Sequence, residues 1–162
     1  MSTMNLTLMT DLYELTMMQG YFKTNSTETV VFDVFYRKNP CDGGYAIVAG
    51  LDQVIDYIKN LRFSEEDISY LRSLKIFEED FLEYLKNFRF TGSLYAIPEG
   101  TVVFPKEPLL KVIAPIMEAQ LVETAILTII NHQSLIATKA ARVVYAAKGD
   151  GIMEFKSEAK RS

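Results

Sequence analysis

The sequence predicts a mixed α+β fold, and three features carry that expectation. Apolar residues alternate with a period of two near the start, short β-type runs punctuated by prolines fill residues 93–113, and a helical pattern occupies 116–147. At 162 residues the chain can bury one substantial core, with a second small domain permitted but not required. It contains neither internal repeats nor a low-complexity linker.

The first expected element is a helix from 11 to about 22. Asp11 is a suitable N-cap, and Glu14 stands at the third helical position, as in a capping box. Leu12, Leu15, Met18 and Phe22 recur at helical spacing and are expected to be buried, flanked by a second stripe of Tyr13, Met17 and Tyr21. The segment "ETVVFDVFYRKNP" reads as a strand. Val30, Phe32, Val34 and Tyr36 share one face, and Val31, Asp33, Phe35 and Arg37 share the other, which would hold a guanidinium on a rigid element. "NPCDGG" breaks this strand and "YAIVAG" resumes as another. Helices follow at 51–61, with Leu51, Val54, Ile55, Ile58 and Leu61 on one side, and at 65–74 behind the cap Ser64. A third, at 78–88, turns Phe81, Leu82, Leu85 and Phe88 to one side.

Strands at 93–97, 101–104 and 109–113 are separated by Pro98-Glu99-Gly100 and by the stretch from Pro105 to Pro108. Prolines at these joints favour a compact meander over one flat sheet. Pro115 suits a helix start, the helix then runs from 116 to 147 with Asn131 as a candidate break, and Gly149 and Gly151 end it. "IMEF" reads as the beginning of a further strand.

Composition narrows the function classes. Apolar residues make up 49% of the chain and charged residues 23%, a globular mixture, and the formal charge of −4 offers no basic footprint for nucleic acid. The single cysteine, Cys41, allows no internal disulfide and fits a reducing compartment. The N-terminus lacks a basic n-region and a long apolar run, so no signal peptide is expected. The most apolar stretch, 116–147, is interrupted by Glu118, Glu123, Asn131, His132, Lys139 and Arg142, the wrong pattern for a membrane span. The expected location is the cytoplasm.

With one histidine and one cysteine there is almost no material for zinc sites or for Ser-His-Asp and Cys-His catalysis. His132, inside an apolar helix, is expected to pack or make a local hydrogen bond. "CDGGYAIVAG" lacks the spacing of a dinucleotide or phosphate loop and reads as a turn between strands. Taken singly, Asp11 is a cap, Tyr13 is semi-buried packing, and Arg37 is a surface or ion-pair residue. "GSLYAIPEGTVVFPKEPLLKV" is similar to the half-barrel of lipoyl and biotinyl carrier domains, a reading that would make Lys106 the modified lysine. The methionine or aspartate that flanks such a lysine is missing. What survives is the suggestion of a small hammerhead-like β topology.

As a set, "TDLYELTMMQGYF", "FDVFYRKNPCDGGYAIVAGL", "GSLYAIPEGTVVFPKEPLLKV" and "EAQLVETAILTIINHQSLIATKAARV" resemble, in order, the N-terminal part of bacterial nicotinate phosphoribosyltransferase across residues 4 to 155. The resemblance implies a type II phosphoribosyltransferase, both glycosyltransferase and ATP-dependent ligase. Such an enzyme joins nicotinate to phosphoribosyl pyrophosphate, giving nicotinate mononucleotide for NAD synthesis, with Mg2+ and a phosphorylated histidine that lies beyond this chain. It also implies an N-terminal hammerhead-like α+β domain over 1–115, a helical segment and first strand of an α/β barrel over 116–155, and a non-matching tail at 156–162. The implied partner is a second copy, in a head-to-tail homodimer with active sites between subunits.

For the site residues, the resemblance implies that Tyr13 stacks on the pyridine ring in the neighbouring subunit and that Phe155 stacks on its other face. Asp11 would support substrate placement, and Arg37 would lie on the phosphate side. The family continues into arginine- and glycine-rich barrel segments, whereas this chain reads "MEFKSEAKRS". The expectation is therefore a fragment, cut by a frameshift, a premature stop or an expression boundary. Such a fragment would be inactive alone and would hold neither ATP nor Mg2+. The alternative is a non-enzymatic dimerisation or regulatory module that binds a full-length partner.

Overall fold

In a computed structural model of the protein, residues 5–40 and 43–153 are described. The elements are α1 (Leu12–Lys23), β1 (Thr29–Phe35), β2 (Ala46–Ile47), α2 (Leu51–Asn60), α3 (Glu65–Ser73), α4 (Glu79–Lys86), β3 (Ser93–Ala96), β4 (Val102–Val103), β5 (Pro108–Pro115) and α5 (Ile116–Ala147). The fold is a mixture of helices and sheet, as its sequence pattern predicts.

The larger sheet has the order β1-β5-β3, with both pairs antiparallel. Its inner face follows from the period of two: Val30, Phe32 and Val34 of β1 lie opposite Ala114, Val112 and Leu110 of β5. Val31, Asp33 and Phe35 point outward and are exposed, and across the pair Lys111 Nζ meets Asp33 Oδ1 at 3.1 Å. The first half of α5 packs on this sheet, with Leu121, Val122, Ala125, Ile126, Ile129 and Ile130 in the same buried cluster as Leu110 and Val112.

The proline-rich middle is not a meander. β3 joins β5, but β4 leaves to pair with β2 in a separate two-stranded sheet. The turn at Pro98–Gly100 explains the detour: Glu99 Oε1 accepts from the N–H groups of Gly50 and Leu51 (2.7 Å to Leu51), capping α2 from a distant loop. Gly50 has φ +104°, and a Cβ there would press on Gln133 and Ile129 of α5 at 3.1–3.2 Å, so the position demands glycine. Because β4 and β5 belong to different sheets, Lys106 between them is not the tip of a paired hairpin, which removes the geometry that a carrier lysine needs.

The helices form where expected. Ser64 Oγ accepts from Asp67 N–H at 3.1 Å and caps α3. Phe81, Leu82 and Leu85 of α4 are fully buried, and Phe81 lies between Phe22, Phe77 and Tyr84 with ring centroids 5.8–6.2 Å apart.

Further expectations change. Leu12 is 53% exposed, and Glu14 takes the buried place beside Leu15 and Met18, because α1 turns the arc of residues 14, 15 and 18 to the core. α5 runs unbroken through Asn131, and His132 is exposed on it rather than packed. β1 ends at Phe35 with a register shift at Val34/Phe35, so Arg37 stands past the strand instead of on its outer face. Of the strand start expected at "IMEF" only Ile152 and Met153 are described, and they carry no strand; its remainder, with Phe155 and the tail 156–162, lies outside the described residues.

Candidate functional site at the start of the first helix

The turn that opens α1 is built around one carboxylate. Glu14 is 0% exposed, and its Oε2 accepts from the Thr10 hydroxyl and from Asp11 N–H (3.2 Å). Its Oε1 accepts from the hydroxyl of Thr124 on α5 at 2.8 Å. The same Thr124 hydroxyl lies 3.3 Å from Asp11 Oδ2, placing it between a buried and an exposed carboxylate. Tyr57 of α2 is buried nearby; burial and then the Glu14 charge push its phenol well above the ordinary range.

On the outside of this turn Tyr13 is 51% exposed, with Leu12 and Met17 exposed on either side. Partial desolvation, then the charges of Glu123, Glu14 and Asp11, hold the Tyr13 phenol above its ordinary value. Glu123 is held above the usual carboxylate range by burial first and then by Glu14 and Asp11. Tyr13 thus presents a neutral aromatic ring bordered by negative charge.

Arg37 belongs to an adjacent feature. Between β1 and α5 runs a groove of about 440 Å³, lined by Asp33, Phe35 and Arg37 on one side and by Val122, Glu123 and Leu127 on the other. Asp33 is already paired with Lys111, and Arg37 makes no ion pair among the described residues. Glu123 connects the two features, since it forms part of the groove wall and its charge is felt at Tyr13.

Of the residues anticipated from sequence, the structure gathers Asp11 and Tyr13 at one turn and puts Arg37 in the groove that shares Glu123 with them. Phe155 lies outside the described residues. Glu14 fills the capping-box place expected of it, accepting from Asp11 N–H, but its burial was not anticipated, nor were Glu123 and Thr124. The local signals are the capping-box spacing of Asp11 and Glu14 and a Glu-Thr pair interrupting an apolar helix. An exposed ring beside carboxylates suits a flat, electron-poor ring or a developing cation, and a guanidinium with no ion pair among the described residues suits an anion. Among the described residues no group of three or more His, Cys, Asp and Glu has the arrangement to hold a metal ion. No described helix is long and apolar enough to cross a membrane.

Comparison with known proteins follows the same lines. A family model described as the nicotinate phosphoribosyltransferase (NAPRTase) N-terminal domain matches residues 8–131. Nicotinate phosphoribosyltransferase pncB2 of Mycobacterium tuberculosis is 50% identical over 148 residues, covering 91% of this chain and 32% of that protein. The nicotinate phosphoribosyltransferase of Bacillus subtilis is 45% identical over 152 residues, covering 93% of this chain and 31% of the relative. The crystal structure of human nicotinic acid phosphoribosyltransferase superposes with a TM-score of 0.79 at 32% identity, covering 94% of this chain and 31% of that one. The chain therefore spans about a third of the length of the curated relatives it matches.

Proposed function

The chain belongs to the nicotinate phosphoribosyltransferase family, and from that premise we propose that it supplies the N-terminal part of an enzyme joining nicotinate to phosphoribosyl pyrophosphate. The observation that carries the proposal is Tyr13, an aromatic ring half exposed on a turn whose backbone is tied down by a fully buried carboxylate. A ring held this way is offered to something outside its own chain, and in this reading that is the active site of a second subunit in a homodimer.

In the reaction the pyridine nitrogen attacks C1 of the ribose. The N–C1 bond forms as the bond from C1 to pyrophosphate breaks, and pyrophosphate leaves with the electron pair. The pyridine ring becomes cationic, and the ribose passes through an oxocarbenium-like state. Tyr13 stacks on one face of the ring and keeps the nitrogen in line, favouring the developing charge by about 0.5–2 kcal/mol. Phe155 is the counterpart for the other face. Asp11, exposed beside Tyr13, favours positive charge on the ring and ribose, and Arg37 offers a planar fork to phosphate oxygens. The family resemblance implies ATP coupling, through a phosphorylated histidine and Mg2+. Among the described residues no group of three or more His, Cys, Asp and Glu is arranged to hold a metal ion. A cytoplasmic location accords with this reading.

Residues 1–162 as a polypeptide of their own are expected to form no nicotinate mononucleotide from nicotinate, phosphoribosyl pyrophosphate, ATP and magnesium. Mixed with a full-length relative stripped of the ring that aligns with Tyr13, the chain is expected to restore product formation, and its Tyr13→Ala variant is not. Turnover by the chain alone, or equal restoration by Tyr13→Ala, would overturn the proposal.

A further inference from the structure

Glu14 raises a question that the proposed chemistry leaves unanswered. It is fully buried, and among the described residues no lysine or arginine forms an ion pair with it. It shares the inward arc of α1 with Leu15 and Met18, where leucine or methionine would continue the apolar stripe. Burying a carboxylate there is costly, and apolar contact would hold α1 to α5 more cheaply. A carboxylate closes the capping box on Asp11 N–H, and its further bond to Thr124 of α5 adds what a cap alone does not need, a fixed direction between two helices, because hydrogen bonds constrain angle as well as distance.

The bonds are distributed to use that property. One oxygen takes the Thr10 hydroxyl and Asp11 N–H, both from the chain entering the helix; the other takes the Thr124 hydroxyl from the neighbouring helix. The first turn of α1 is thus fixed in rotation relative to α5 by a group inside that turn. Asp11 and Tyr13 are three residues and one residue before it. We infer that Glu14 is a positioning residue: with Thr124 it locks the rotation of the first turn of α1 on α5 and so sets the direction in which Tyr13 and Asp11 leave the surface. The inference rests on the reading of Tyr13 and Asp11 as substrate-facing groups, but its geometry can be tested separately.

The full chain carries nine tyrosines and can be labelled with 3-fluorotyrosine, the Tyr13 resonance being identified by its loss in Tyr13→Phe. Thr124→Ser, which keeps the hydroxyl, is expected to leave that resonance in place. Thr124→Val is expected to move it more than halfway to its position in urea while the other tyrosines keep theirs. The double variant Glu14→Leu with Thr124→Val removes the buried Thr124–Glu14 pair as a unit, leaves the Thr10 hydroxyl and the Asp11 N–H to water at the exposed start of the helix, and is expected to release Tyr13 in the same way. A Tyr13 resonance unmoved in both Val-containing variants, with only the unfolding midpoint lowered, would reduce Glu14 and Thr124 to adhesion and overturn the inference.

In the mixed-subunit assay, Thr124→Val is expected to raise the KM for nicotinate about tenfold, with Thr124→Ser restoring it. A Thr124→Val chain with unchanged KM, beside an inactive Tyr13→Ala chain, would overturn the positioning role and leave the functional reading intact. The reverse failure is separable: equal restoration by Tyr13→Ala removes the reading, while the fluorine result still reports on the lock.

Discussion

Glu118 and Glu14 are both buried carboxylates at joints of α5, and they hold very different things. Glu118 accepts from Thr91 N–H at 2.6 Å, Thr91 Oγ1 at 2.8 Å and Gly92 N–H at 3.2 Å, all in the loop that leads from α4 into β3. That loop is closely packed: a Cβ on Gly92 would lie 2.4 Å from the Ala114 Cβ. Glu14 draws its donors from two elements, and beside it stand an exposed ring and an exposed carboxylate rather than packed backbone. The same chemistry serves in one place to close a loop and in the other to aim a turn. Surroundings, not the bonds themselves, separate a brace from a candidate site.

The contrast can be broken at either end. The largest effect is expected from Glu118→Ala, which leaves two backbone N–H groups and a hydroxyl without their acceptor; urea unfolding should report a loss of about 2 kcal/mol. Thr124→Val removes one hydroxyl from a half-buried junction and should cost about 1 kcal/mol in the same measurement. If the two losses are equal, the junctions are energetically alike and the contrast must rest on Tyr13 alone.

The smallest effect concerns pH. Burial first, then Glu14 and Asp11, raise the Glu123 carboxyl in the folded state. A carboxyl whose folded pKa is raised holds its proton more tightly in the native state. Its contribution is therefore complete below the ordinary carboxylate pKa and is lost as pH rises through the raised folded value. Glu123→Gln should flatten that loss, seen as a shallower dependence of the urea midpoint on pH between the ordinary carboxylate range and neutrality. An unchanged slope would mean that neither burial nor the acidic turn raises the Glu123 carboxyl in the folded chain.

Local features of the fold were legible. Ser64 capped its helix, β1 divided its faces as alternation requires, and α5 began at Pro115 and ended at Lys148 and Gly149, both in left-handed geometry. Each depends on residues close in sequence. The exchange of Leu12 for Glu14 was not legible, because hydropathy places an acid outside unless its donors are known, and one of those donors is 110 positions away. The departure of β4 to β2 was hidden for the same reason, since strand pairing is a contest between distant segments. Arg37 was assigned to a strand that ends before it because the register shift at Phe35 depends on the partner strand.

By itself the sequence determined the class of fold and the position of most helices, because periodicity and caps are written in neighbouring residues; the candidates Asp11, Tyr13, Phe155 and Arg37 came from the family resemblance carried by four motifs in order. The tertiary structure alone decided that Glu14 lies inside, that Thr124 reaches it from α5, and that Glu123 stands between the aromatic turn and the Arg37 groove. A buried carboxylate is tolerable only where donors converge on it, and convergence belongs to the packed chain, not to the order of its residues.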